Sequence, residues 1–232
     1  MYQNEKTISE KEIYKGRVVH LTCDEVELEN GYKTLREVIH HPGGVCIVAL
    51  DEDENVYFVK QFRYPFKTAL MEIPAGKLEY GEDHLECGRR ELKEEIGATA
   101  EKMTYLGCIY PTVAYDTEII HMYMAEGLDF GEQHLDEGEF LDVTKMPLEE
   151  AYKMVMENKL PDAKTTAAIL KTYLIKKDMY YIIFYPCDKR NGRTLFATAY
   201  IKGTVNVAVP FFCGEKKSAH APKCMSVFFI VT

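Results

Sequence analysis

This sequence predicts an α+β fold, and three observations predict it. Short segments in which apolar and polar residues alternate, bounded by turn residues, dominate the first half. Set among them is a helix with a strong start signal and a glycine stop. Two amphipathic helices then occupy the stretch ending at Lys177. Strands mixed with a few helices fit a sandwich of helix, mixed sheet and helix, preceded by a small N-terminal antiparallel β layer.

In order, residues 17–22 and 24–28 alternate as strands, Asn30-Gly31 makes a turn, and residues 33–40 complete a small antiparallel sheet within 1–42. His40 and His41 have no acidic or cysteine partner at ligand spacing and read as boundary residues before Pro42-Gly43-Gly44. Residues 45–50 and 56–64 are apolar strands joined by the polar turn 51–54, and the short strand 70–73 leads into Pro74-Ala75-Gly76. Asp83, with Glu86 three residues on, has capping-box spacing, and Gly97 supplies a stop, so a helix is expected from Asp83 to Ile96. Strands follow at 103–110 and 118–125, then an acidic, glycine-rich loop over 126–138 and a strand at 139–143. The spacing predicts helices at 147–157 and 162–177, the second carrying Ala167, Ala168, Leu170, Leu174 and Ile175.

The chain of 232 residues suffices for one sizeable domain with appendages. An apolar content of 47% and a mean hydropathy of −0.24 describe a soluble globular protein. A net charge of −9 argues against a general nucleic-acid or membrane surface, so an anionic substrate must be drawn in by a local device. Neither a leader nor an apolar membrane span is visible, which implies a cytoplasmic protein. Cys23, Cys46, Cys87, Cys108, Cys187, Cys213 and Cys224 form no CxxC pair and are odd in number, as expected of reduced, mostly buried thiols. Composition changes at about Asp178: residues 178–232 carry a net charge of +4 against −13 for 1–177. In this tail, 180–185, 204–212 and 226–231 read as β segments, and no chemical role requires them.

The chemistry concentrates in residues 76–98, GKLEYGEDHLECGRRELKEEIGA. Glu91, Glu94 and Glu95 fall at i, i+3 and i+4, on one flank near the negative end of the helix dipole, at a cost of a few tenths of a kcal/mol each. A bound cation would offset that cost. Mg²⁺ or Mn²⁺ suits carboxylate oxygens and completes its shell with substrate phosphate. A solvated acidic face, with Arg89, Arg90 and Lys93 as counter-charges, is the plain alternative. The wider spacing decides between them: Gly76, five residues, Glu82, seven residues, Arg90-Glu91-Leu92, one residue, Glu94-Glu95, one residue, Gly97.

That pattern resembles the Nudix box at eight positions across 23 residues, with Ala98 standing where the family usually has a bulky aliphatic residue. Residues 8–177 are similar as a whole to the bacterial ADP-ribose pyrophosphatases of that superfamily. The similarity runs through Arg36 ahead of His41-Pro42-Gly43, VKQFRYP around Arg63, MEIPAGKLE, the 116–121 stretch, DEGEF and Asp162-Ala163-Lys164-Thr165. Pro111 matches a proline that marks ADP-ribose preference, displaced to 13 residues after Ala98. The resemblance implies a Nudix α/β/α sandwich over 43–177, a homodimer formed through 1–42, and Mg²⁺-dependent cleavage of ADP-ribose to AMP and ribose 5-phosphate. Another nucleoside diphosphate sugar, a damaged nucleotide, or a catalytically silent nucleotide sensor stays open.

Divalent ions must neutralise the pyrophosphate charge and activate water. Glu91 and Glu95, one helical turn apart, are the expected direct ligands, with Glu94 sharing the ions or their waters and Glu82 as an outer or second-ion group. The Ala75 carbonyl is the backbone ligand that the resemblance implies. Arg90 is expected to stay off the metal and pair with an acid. Glu137 or Glu139 in the acidic loop is the candidate general base. Arg63 and Arg36 are candidate phosphate and ribose contacts, and Glu72 a further candidate for the terminal ribose or the dimer contact.

Overall fold

The computed structural model describes residues 4–135, 138 and 140–177, and beyond them the backbone of three strands at 181–183, 195–200 and 207–211. Two compact units result, Met1–Lys177 and Asp178–Thr232.

The first unit begins with an antiparallel layer of β1 (Glu5–Ser9), β2 (Glu12–Lys15), β3 (His20–Leu28) and β4 (Lys33–Ile39). β3 is its centre, paired with β4 on one edge and with β1 and β2 in succession on the other. The expected segments 17–22 and 24–28 thus merge into one strand that begins only at His20, with residues 17–19 outside it. β1 and β2 were not foreseen because every residue in them is exposed, so no buried face imposes an alternating pattern.

Next come β5 (Gly44–Ala49), β6 (Asn55–Arg63), β7 (Thr68–Glu72) and β8 (Ala75–Lys77), then α1 (His84–Ile96), β9 (Ala98–Ile109), β10 (Ile120–Phe130) and β11 (Leu141–Pro147). One sheet runs β8-β5-β10-β9, with β5 parallel to β10 and the other pairs antiparallel; the other runs β11-β6-β7. The helices α2 (Leu148–Met156) and α3 (Ala163–Lys176) close the unit.

β5 is buried along its whole length, and its alternation sorts the core into two layers. Val45, Ile47 and Ala49 pack with Cys87, Leu92 and Ile96 of α1, while Cys46, Val48 and Leu50 pack with Ala168 and Ile169 of α3 and Leu148 and Val155 of α2. A helix–sheet–helix sandwich follows directly from a strand that is apolar on both faces.

α1 forms where the sequence signals it. Asp83 accepts hydrogen bonds from the Leu85 and Glu86 amides, and Gly97, at φ 67°, ends the helix in the left-handed region. No membrane-crossing helix is present among the described residues. The second unit contains the antiparallel sheet β12 (Tyr181–Ile183), β13 (Leu195–Tyr200) and β14 (Val207–Phe211). β13 was not foreseen, and the expected 226–231 segment lies outside the described residues.

Candidate active site

Three backbone devices bring the acidic side chains together. The end of β7 delivers Pro74 and the β8 residues Ala75 and Gly76 beneath α1, where the Ala75 amide donates to Glu95 Oε2 at 2.9 Å. Gly76 lies against Glu91: a Cβ there would meet the Glu91 carboxyl carbon at 1.8 Å, so any other residue would force that carboxylate to move. The turn at 79–82 presents Glu82, whose Oε2 accepts from the Glu79 amide at 2.9 Å.

Arg90 is the centre of the cluster. It reaches Glu82 through Nε at 3.0 Å and Nη2 at 3.2 Å, while Nη1 donates to Glu91 at 2.7 Å and to Glu94 at 2.9 Å. Arg90 and the Glu79 amide hold the Glu82 carboxyl down to about 2, and Glu82 and Glu91 in turn push the arginine further up. Glu95 is buried, with 4% of its surface exposed. Beneath them Cys87, its thiol pushed up to about 12 by burial, is a packing residue.

The donor set is oxygen only and rich in charge, which is the chemistry a hard divalent ion takes. As arranged here those oxygens are engaged by Arg90 and by backbone, and among the described residues no three acidic, histidine or cysteine side chains are posed to hold one metal ion. A family model described as the NUDIX domain matches residues 40–169. The chain belongs to the Nudix family. Two similar proteins are each 42% identical over 167 residues, 71% of this Nudix chain and 90% of the relative. They are the ADP-ribose pyrophosphatase of Bacillus subtilis (strain 168) and the methanol dehydrogenase activator of Bacillus methanolicus. The crystal structure of an ADP compounds hydrolase superposes with a TM-score of 0.69 at 18% identity, covering 77% of this chain and 97% of its own, and shares the fold.

The other candidate residues of this Nudix chain divide into groups. Arg63 donates from Nε and Nη2 to the two oxygens of Glu72, at 2.6 and 2.8 Å. Glu72 is buried, with both oxygens hydrogen-bonded to Arg63 or Lys164. Arg36, half-buried on β4, pairs with Glu5 at 2.8 Å and lines a cleft of about 490 Å³ with Leu21, Leu35, Ile39 and Tyr115. Pro111 is exposed and opens the segment whose Ala114 and Tyr115 border that cleft. Glu137 and Glu139 lie outside the described residues.

Sequence reasoning missed two participants. Lys164 ion-pairs with Glu72 across 92 positions of sequence, a separation no local pattern reports. Residues 131–134 cover the end of α1: the amides of Gly131 and His134 and the Gln133 side chain donate to the carbonyls of Gly97, Glu94 and Glu95. Both interactions satisfy groups that local sequence leaves unpaired.

Proposed function

We propose that this Nudix chain hydrolyses the pyrophosphate of ADP-ribose to AMP and ribose 5-phosphate. The observation that carries the reading is the gathering of Glu82, Glu91 and Glu94 on Arg90 beside a Glu95 tied to Ala75. It is the acidic constellation on a box helix whose 42% identical relative is named an ADP-ribose pyrophosphatase. Nudix hydrolases use divalent metals, and here Mg²⁺, with Mn²⁺ as substitute, is the ion we assign. Such an ion supplies positive charge against the pyrophosphate and activates the attacking water. Glu91, Glu95, Glu94, Glu82 and the Ala75 carbonyl would hold it. Arg90 keeps Nε and Nη2 on Glu82, so Nη1 is the donor that an ion would displace from Glu91 and Glu94. Arg63 binds a substrate oxyanion, Arg36 a second polar group of the nucleotide, and Glu137 or Glu139 accepts the proton of the water.

The N-terminal layer supports assembly as a homodimer, because Ile13, Tyr14, Val18 and Leu35 are each at least half exposed there. Light scattering should give twice the 26.7 kDa chain mass. Cys23, Cys46, Cys87 and Cys108 are free thiols, which fits a reducing cytoplasm.

The test is AMP release from a panel of nucleoside diphosphate sugars and oxidised nucleotides, with Mg²⁺, with Mn²⁺ and with chelator. ADP-ribose should give the highest kcat/KM, and only with a divalent ion. A second reading comes from the equally similar methanol dehydrogenase activator: the chain acts on a dehydrogenase. A dehydrogenase rate raised by a Glu95→Gln chain that releases no AMP would favour that reading.

A further inference from the structure

A second group of charges lies off the box helix. Arg63 on β6 grips Glu72 with two nitrogens; Lys164, in the first turn of α3, bonds Glu72 Oε2 and lies 3.0 Å from Asp162 Oδ2. Positive and negative groups alternate: Arg63, Glu72, Lys164, Asp162. The side chains of Glu72 and Lys164 are 4% and 13% exposed, against 39% for Arg63. Burial pushes the Glu72 carboxyl up, and Arg63 and Lys164 outweigh it, leaving the carboxyl below its usual range.

The group is fixed to the fold at both ends. Asp162 caps α3 by accepting from the Thr165 amide and hydroxyl, and Thr165 Oγ1 accepts from the Ile73 amide at 3.1 Å. Ile73 is two residues before Ala75, which holds Glu95. Arg63 itself feels the charge of Glu95 and of Asp162, so its guanidinium is within electrostatic range of the box helix.

We infer that Lys164 is a positioning residue: it holds Glu72 fixed, Glu72 locks two nitrogens of Arg63, and Nη1 is presented to an oxyanion of the substrate. The inference rests on the hydrolase reading above and adds how its arginine is oriented. A half-exposed arginine on its own samples many rotamers, and one clamped through Nε and Nη2 has surrendered that freedom before the ligand arrives. The clamp needs a carboxylate that is buried, ionised and immobile. Burying Glu72 against Arg63 alone would leave Oε2 facing Asp162 across the space that the Lys164 ammonium fills.

Steady-state kinetics on ADP-ribose, a metal-free calorimetric Kd for ADP-ribose, and melting curves test this on the full chain. Lys164→Gln should raise KM and Kd about tenfold, the worth of one charged hydrogen bond, with kcat within about threefold. Lys164→Arg should recover most of the loss. Combining Lys164→Gln with Arg63→Ala should be no worse than Arg63→Ala alone, because both remove the same contact. A normal KM in Lys164→Gln, or losses that multiply in the double variant, overturns the inference. Should Lys164→Gln fail to fold, the neutral pair Glu72→Gln with Lys164→Met removes both charges together; it should raise KM about tenfold, and an unchanged KM overturns the inference equally. If the unmodified chain turns over no ADP-ribose, the hydrolase reading fails, and the Kd series still decides the role of Lys164.

Discussion

Two ion clusters are tied to the same short stretch, residues 73–75, and they are built on opposite plans. The Ala75 amide holds Glu95, beside an Arg90 that faces Glu82, Glu91 and Glu94: among the described residues, one arginine against several carboxylates. The Ile73 amide is held by Thr165, beside a group in which Arg63 and Lys164 alternate with Glu72 and Asp162 and the charges cancel. Surplus negative charge favours a bound cation, and it is to this first cluster that we assign the chemistry. The balanced cluster gains nothing from another ion, and its use is to orient. Removing a carboxylate should therefore relieve the first cluster and damage the second.

The largest expected effect is on turnover. Glu95→Gln should lower kcat by about a thousandfold or more, since several kcal/mol of charge stabilisation is lost, while the melting temperature stays level or rises. Near-normal turnover at saturating Mg²⁺ would remove the box helix from the chemistry. Gly76→Ala comes next: its Cβ would push the Glu91 carboxylate aside, and a displacement of about 1 Å at a reacting group costs about a hundredfold in rate. Circular dichroism should remain that of the parent, and a fully active Gly76→Ala chain would show that the reaction does not need the Glu91 carboxylate where it stands.

In the balanced cluster the sign of the stability effect should reverse. Glu72→Ala strands two cations and should cost about 3 kcal/mol in urea unfolding. Because the Glu72 carboxyl is lowered from 4.5 on folding, its contribution is present above about pH 4.5 and disappears as pH falls through the folded value. Unfolding free energies measured from about pH 6 to pH 3 should fall less steeply in Glu72→Gln than in the parent. A steeper fall would mean that the carboxylate is not stabilised by its partners. The smallest effect is expected from ending the chain at Lys177, the last residue of the first compact unit. Turnover per folded molecule should be unchanged, and a large drop would bring residues 178–232 into the working fold.

What was legible in the sequence was whatever is decided locally. The cap at Asp83, the stop at Gly97 and the i, i+3, i+4 carboxylates were readable because each depends on neighbours within one or two turns. The double-sided burial of β5 was readable as an unbroken apolar run. β8 was not, because three residues after a proline carry no periodicity, and their pairing with β5 is a tertiary event. Lys164 was noticed only as one letter of a motif before the last helix. Its partner is 92 residues away, and the need for a buried cation appears only once Glu72 is known to be buried. Nor could the sequence foresee that Glu72 would be enclosed by Arg63 and Lys164.

The covering of α1 by residues 131–134 has a consequence for motion. The Gly131 and His134 amides donate to the Gly97 and Glu94 carbonyls, so neither proton can exchange with solvent until helix end and segment part. Those two amides are therefore clocks for the opening of the helix end that carries Glu94 and Glu95. Hydrogen-exchange rates at these two positions, followed with and without nucleotide, would time that opening in the resting protein, independently of any turnover.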